Sequence, residues 1–561
     1  MQEQQFKKIK TIFNSLKETY QTKESTFKDI REFLLPGTGN FQESSNLEND
    51  KINYQKVLDS EPSSYLDTTS AGLYGGLINP ATRWFDLDID RTNKNVSYLD
   101  EYEIGQLLEQ FKEFLYYLFA RSNFYDAMSP TFKEWVGYGS GVVLVEERAY
   151  DFIFFNHLTV GEFYLGIDPD GKYNKLGRTF FMTASQMVEK FGRNVLPDQV
   201  ITAFERGDET IKFEINHLVC PNDNSGVVAS MFPFMVIYWH EKNILRTSGY
   251  RSNPIVVFPW ERKNTRTIYP MGIGEKILGD TKELQQTVRA LSMHKAYLAN
   301  PALALHTSLG KKPVLPGARY YTDQDPTKLA AEIYRVAPYI GEMEDSRTRI
   351  LDKIRKLTYA DLLLLFAQQQ KGNMTAREVS AIVNEQMTLL APIYLQAREA
   401  LQTLFNRVID ICVRRGAFPS TEILDPRQIR VEFMSSIAKS QRMAEAGSIQ
   451  DLIMYVTQLA QIKPAALDYI NEDAIVKDIA GRLGNYSKIN SDEEVAAIRE
   501  AQAQQQQAAM AQEQQAQQMK IAKDASKAKI EPNNLLGQQV MQQGGAMPPS
   551  DEEIAAGGGS Y

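Results

Sequence analysis

The sequence predicts an α+β protein, on three observations. Residues 150–260 are rich in β-branched and aromatic residues and in hairpin-like turn signals. The flanking segments 1–35, 273–299 and 375–415 instead carry apolar residues at helical spacing. Strands and helices are therefore grouped along the chain rather than alternating, which points away from a parallel β/α architecture.

The elements follow in order. Phe6, Ile9, Phe13 and Leu16 share one face of a first helix, which "LLPGTGN" at 34–40 breaks. A polar, Asn/Ser-rich loop runs to about 55. A helix through "SYLDTTSAGLYGGLI" then ends at Asn79-Pro80, and Trp84-Phe85 opens the alternating strand "WFDLDID". Residues 100–135 read as two amphipathic helices. In "VGYGSGVVLVEE" (136–147), Gly137, Gly139 and Gly141 invite a phosphate-loop reading. They lead into a strand, however, so no helix N-terminus is offered to an anion; a tight approach to a strand is expected. "DPDGKYN" (168–174) opens like a calcium loop but lacks its later acidic ligands, and is expected to be a turn.

From Ile273 to about Ala299 the period is helical. Ile277, Leu284, Val288, Leu291 and Leu298 form a narrow apolar stripe, and Asn300-Pro301 stops the helix. Within it, "GEKILGDT" (274–281) has the frame of a P-loop, with Thr281 where a magnesium-holding hydroxyl belongs. The lysine position holds Asp280. A carboxylate there repels phosphate: at ~4 Å and an effective dielectric of ~20, two like charges cost about 4 kcal/mol. The preceding "ERKNTRTIYPMGI" is no buried strand, and a dinucleotide fingerprint would need glycine at Ile277. A nucleotide site is rejected.

An insertion with strand and turn signals follows ("KKPVLPGARYYTDQD", 311–325), then a helix from about Glu344 to Phe366 with Ile350, Ile354 and Leu357 on one face. Arg347, Arg349, Lys353, Arg355 and Lys356 make its first half strongly basic. "AQQQKGN" (367–373) interrupts the pattern. Thr375-x-x-Glu378 has the form of a capping box opening a helix that passes Pro392, with a kink expected there, and ends near Arg415-Gly416. "RQIRVEFMSS" (427–436) alternates as a strand, helices fill 437–482, and a Gln/Ala-rich helical stretch beyond 495 gives way to a Gly/Pro/Gln-rich end expected to be disordered.

Composition excludes several classes. A formal net charge of −8 argues against a general nucleic-acid coat, though not against a surface past which DNA slides. Cys220 and Cys412 offer no disulfide framework, and five scattered histidines show no metal spacing. No apolar run approaches the ~18 residues of a membrane helix. "MQEQQFKKIK" lacks an apolar leader. The expectation is a protein of a reducing interior with no membrane span, no metal and no cofactor.

"REFLLP" (31–36), "SAGLYGGLINPATRWF" (70–85), "WVGYGSGVVLVEE" (135–147), "DPDGKYNKLGRTFFMTASQMVEKFG" (168–192), "YPMGIGEKILGDTKELQQTVRALSMHKAYLANPAL" (269–303) and "NMTAREV" (373–379) occur in an order that resembles the portal, or head-to-tail connector, proteins of podovirus-type bacteriophages. The resemblance spans about 30–440; the last 120 residues match only in character.

It implies a β-rich wing (1–272), an antiparallel stem (273–299 and 346–366), a small α/β clip (300–345), a tunnel loop (367–374), a wing helix and returning strand (375–436), a helical crown (437–490) and a tail (491–561). It implies no enzymatic activity. It makes Asp280 a solvent-facing or subunit-interface carboxylate, and the basic half of 346–357 either a DNA-facing surface or a solvated face or intersubunit partner for the acidic residues of 275–283. It implies a ring, normally of twelve copies, at one capsid vertex of the virion, assembled in the host bacterial cytoplasm. Double-stranded DNA would pass through it without sequence specificity, both in packaging and in ejection. Partners would be the major capsid protein, scaffolding or internal core proteins, the terminase large subunit, and tail adaptor or nozzle proteins. Gln368, Gln369, Gln370, Lys371, Gly372 and Asn373 would line the DNA channel; Lys311, Lys312 and Arg319 would face clip partners; the 277–298 stripe would pack stems together. The bland reading of 367–373 is a helix connector. Rival readings are a degenerate P-loop ATPase or nuclease, and a tail adaptor or other structural virion protein.

Overall fold

The computed structural model describes residues 3–41, 56–89, 101–148, 150–223, 228–299, 303–305, 325, 330–332, 340–363, 376–419, 426–433, 454–458, 475, 490 and 492–527. The chain forms two compact units, Met1–Gly484 and Asn485–Tyr561.

In the first unit, α1 (Glu3–Phe33) buries Ile9, Phe13, Leu16, Tyr20, Phe27 and Ile30, a stripe at steps of three, four and seven. It lies on a five-stranded antiparallel meander: β4 (Phe163–Ile167), β5 (Tyr173–Thr183), β6 (Lys212–Pro221), β7 (Phe234–His240) and β8 (Asn243–Tyr250), adjacent in that order. Phe13 meets Tyr164 and Trp239 edge-on at 5.6 and 5.0 Å. Two short helices unforeseen in the β-rich region, α5 (Ala184–Phe191) and α6 (Asp198–Glu205), join β5 to β6. The start of α5 is a capping box, Thr183 with Gln186.

A second sheet places β2 (Ser140–Arg148) between β3 (Phe152–Leu158) and β9 (Ile255–Pro259). Its central strand is buried over six consecutive residues, because α4 (Phe124–Tyr138) and the long C-terminal helix of this unit both pack near it. That helix, α9 (Ala376–Arg414), runs through Pro392 and ends where Gly416 turns left-handed (φ 68°), with the N–H of Ala417 donating to the Cys412 carbonyl. Thr375, the first residue of the expected capping box, lies outside the described residues.

The remaining elements tie distant sequence together. α2 (Glu61–Leu77) packs against α4, and α3 (Glu101–Arg121) against β1 (Phe85–Ile89). β1 pairs antiparallel with β12 (Ile429–Phe433), Phe85 opposite Phe433. Around this ladder Trp84 stacks on Phe124 at 5.8 Å, and Phe85 on Tyr116 at 4.2 Å, while Phe405 of α9 meets Phe85 at 4.8 Å. One aromatic cluster thus joins α3, α4, α9 and the β1–β12 ribbon. A second ribbon pairs β10 (Leu303–Leu305) with β11 (Ala330–Glu332).

α7 (Ile273–Ala299) has the limits its stripe and Pro301 predict. α8 (Ile340–Leu357) does not: the helix expected over 346–366 starts earlier, through "IGEMED", and stops after Leu357. Tyr359 there takes a left-handed backbone (φ 59°), and helix resumes at 360–363. The second unit contains α10 (Asp492–Lys527), whose described side chains are exposed apart from the half-buried Val495, as its Gln/Ala composition without an apolar stripe requires.

Candidate functional site

The two glycine clusters that imitate phosphate loops pack against each other. α4 ends at Gly139, left-handed at φ 88°, whose N–H donates to the Trp135 carbonyl at 3.0 Å. The chain entering α7 crosses it there. A Cβ on Gly139 would lie 2.5 Å from the Gly272 nitrogen, and one on Gly272 would lie 2.6 Å from the Gly137 oxygen. A Cβ on Gly274 would run into the Gly137 carbonyl and Ile30. Backbone therefore occupies the space at the α7 N-terminus that a phosphate would need. Thr281 is buried and donates to its own helix at the Ile277 carbonyl, 2.9 Å away. The rejection of a nucleotide site thus rests on space as well as charge.

Beyond this joint, α7 and α8 lie antiparallel. Lys353 pairs with Asp280 at 2.6 Å and Lys295 with Glu344 at 2.8 Å. Asp280 is thus half-buried and bound within its own chain rather than facing solvent. Its bond holds the Lys353 ammonium above the usual lysine range. Arg347 reaches Asp59 and Glu61 at the start of α2, both at 2.7 Å, and Arg355 pairs with Asp361. Three of the five cations on this helix, Arg347, Lys353 and Arg355, are therefore paired inside the chain. Sequence spacing hides the Arg347 and Lys353 pairs, because their partners lie far away along the chain, whereas Asp361 is close to Arg355 in sequence.

Of the stripe residues, Ile277 and Leu284 are buried within this single chain in a core that includes Leu351 and Ile354, and Leu291 is buried too; Val288 and Leu298 are half-buried. The outer half of α7 leaves Met293 50% and Tyr297 48% exposed. Gln368, Gln369, Gln370, Lys371, Gly372 and Asn373 lie outside the described residues, as do Lys311, Lys312 and Arg319.

A node that sequence reasoning missed braces the pair. The Gln285 amide oxygen accepts from the Leu58 and Asp59 backbone N–H groups at 2.8 and 2.9 Å, and its nitrogen donates to the Asp59 carbonyl at 2.8 Å. Asp59 is itself buried and takes the Arg347 guanidinium. A buried carboxylate that loses its cation stays desolvated, so Arg347→Met should lower stability by about 1–3 kcal/mol. Asp59→Asn with Arg347→Met should cost less than the sum of the single changes. Denaturant midpoints of the four proteins give the cycle; strict additivity would show the contact to be unimportant.

Other polar clusters are structural. Glu134, buried, accepts from the Thr159 hydroxyl and from the Val160 N–H at 3.0 Å, fixing the turn after β3. Arg407 is buried on α9, donates to the Ser252 hydroxyl at 2.6 Å and lies over the Tyr250 ring; burial, then the neighbouring Arg414, lowers its guanidinium to about 10. Arg414 and Arg415 both bind Glu147, at 2.9 and 2.8 Å, locking the end of α9 to β2. Cys220 and Cys412 are buried and unbridged, and burial pushes both thiols up to about 12. Among the described residues, no group of three His, Cys, Asp or Glu side chains could hold a metal ion, and no helix is long and apolar enough to cross a membrane.

Residues 6–489 match the family model described as bacteriophage head to tail connecting protein. The chain is 29% identical over 506 residues to the portal protein of Salmonella phage epsilon15, covering 87% of this chain and 89% of that one. It is 28% identical over 502 residues to the probable portal protein of Bordetella phage BPP-1, covering 86% and 89%.

Proposed function

The chain belongs to the bacteriophage head to tail connecting protein family and is a portal protein of the capsid vertex, and from that premise we propose that twelve copies close into a ring whose axis carries double-stranded DNA during packaging and ejection. The observation that carries this reading is the braced α7/α8 pair, rigid within one chain yet exposing Met293 and Tyr297 on its outer half. α7 and α8 form the stem, with α8 counted from Ile340, and α1–α6 with the two larger sheets form the wing. The segment between the stem helices, with its β10–β11 ribbon, is the clip. It meets the terminase large subunit and later the tail adaptor or nozzle, with Lys311, Lys312 and Arg319 facing those partners. The wing and the 437–490 crown face the major capsid protein and the scaffolding or internal core proteins. Assembly takes place in the host cytoplasm, and no step requires catalysis or a cofactor.

A channel that lets DNA slide should carry few phosphate-binding cations, since each one adds affinity through counterion release. Residues 367–374 suit a tunnel loop on this ground: amides with Lys371 as the sole cation. The use of Arg347, Lys353 and Arg355 inside the chain agrees with a sparsely cationic channel.

Face-on imaging of the purified protein tests the ring: a thick annulus with peripheral projections and a central hole is expected, and a monomer at every concentration would refute it. Deleting Gln369–Lys371 separately tests the loop. The expected result is intact rings with impaired completion of packaging or retention of DNA. Wild-type packaging and retention would reduce the segment to a connector.

A further inference from the structure

The interruption at the end of α8 is built like a switch. In a continuous helix the Thr358 carbonyl would accept from the N–H of Leu362, four residues on. Here Tyr359 turns left-handed, a conformation that a bulky residue adopts only under constraint. The Thr358 carbonyl is taken instead by the Thr69 hydroxyl of α2 at 2.7 Å, and both threonines are fully buried. The same hydroxyl also lies 2.9 Å from the Tyr65 carbonyl, one turn back on α2. It has one proton to donate and two acceptors within reach.

We propose that Thr358–Tyr359 is a two-state joint, latched in its broken form by Thr69. In the broken form the Thr69 proton goes to Thr358. In the straight form it returns to Tyr65, Leu362 donates to Thr358, and Tyr359 becomes right-handed. Both carbonyls keep a donor in either state, so neither leaves a buried acceptor unpaired, and two discrete arrangements of similar free energy can coexist. The strain at Tyr359 favours straightening; the Thr69 bond and the seating of the next turn on α2 oppose it.

That seating is visible at Gly72, where a Cβ would lie 2.9–3.1 Å from three atoms of the Leu363 side chain. α2 therefore grips both sides of the joint, Thr69 before it and Gly72 after it. The N-terminal end of α2 is in turn held to α8 through Arg347 with Asp59 and Glu61. A small shift of α2 along α8 would release the latch and redirect the chain leaving residue 363. The inference is independent of ring formation and of what passes the joint.

Residue-resolved amide exchange on the full chain tests it. Thr69→Val removes the donor at nearly constant volume; the Leu362 amide should then exchange at least tenfold more slowly than in the wild type, with 340–354 unchanged. Gly72→Ala, which pushes Leu363 away, should protect Leu362 in the same way through a different contact. Adding Tyr359→Gly to Thr69→Val should restore wild-type exchange, because glycine accepts the left-handed state without strain. Thr69→Ser should behave as the wild type. If Thr69→Val or Gly72→Ala leaves Leu362 unchanged, or speeds exchange across 358–363 together, the joint is a fixed kink and the proposal fails.

Discussion

Gly139→Ala should leave little folded protein in the soluble fraction. Two independent costs fall on one methyl group. The residue must hold φ 88°, a strain of about 1–3 kcal/mol for a residue with a side chain. The new carbon would also lie 2.5 Å from the Gly272 nitrogen and against the Pro270 carbonyl. Backbone cannot rotate away as a side chain can, so overpacking adds about 1–3 kcal/mol or more. Against a total stability of about 5–15 kcal/mol, the sum is a large fraction. Gly279→Ala is the control: that glycine is exposed on α7 with nothing within 4 Å, and alanine there should stabilise by about 1 kcal/mol. Soluble yield and denaturation midpoints of the two variants settle the matter. Near-normal stability of Gly139→Ala would mean that the two glycine clusters do not meet as described.

Leu284→Asp should be nearly as severe, and the structure changes the reason. The stripe alone suggested that a seam on an isolated rod packs against neighbouring subunits, so that aspartate would give soluble, smaller species. Leu284 is instead fully buried within its own chain. Losing its packing costs about 2–5 kcal/mol, and a carboxylate left there without a partner adds desolvation, so the chain should misfold before assembly is at issue. Tyr297→Asp tests the ring directly. Tyr297 is 48% exposed, so the chain should keep its fold while assembly is lost. Circular dichroism and size-exclusion chromatography distinguish the cases. A folded Leu284→Asp monomer would return the stripe to the intersubunit role. Intact rings of Tyr297→Asp would move the contact off the outer half of α7.

Local grammar made much of the fold legible. The limits of α7 could be read because its stripe, its preceding glycines and Pro301 all act within one stretch of chain. The Gly139 cluster read correctly as a tight approach to a strand, since β-branched residues follow it; what it approaches could not be read, because Gly272 and Gly274 are remote in sequence. The limits of α8 were misread for the same physical reason. Nothing in "RKLTYADLL" demands a break at Tyr359; the hydroxyl of Thr69 supplies it. The ion pairs of Arg347 and Lys353 were equally hidden, since a helix face of cations looks alike whether its partners are water, another subunit or the same chain.

The β1–β12 ribbon has a consequence for how the chain is made. Its first strand leaves the ribosome early, but its partner, Ile429–Phe433, follows more than three hundred residues later. At about 5–20 residues per second, the wait is on the order of half a minute. Throughout that interval Phe85–Ile89 has an open hydrogen-bonding edge, and the aromatic cluster around Trp84 lacks Phe405 and Phe433. A nascent chain therefore cannot complete this core until Ile429–Phe433 has emerged, and a chain cut short before Ile429 can never complete it. The ribbon acts as a checkpoint on synthesis, passed only once translation has gone beyond Phe433 and the two strands can meet.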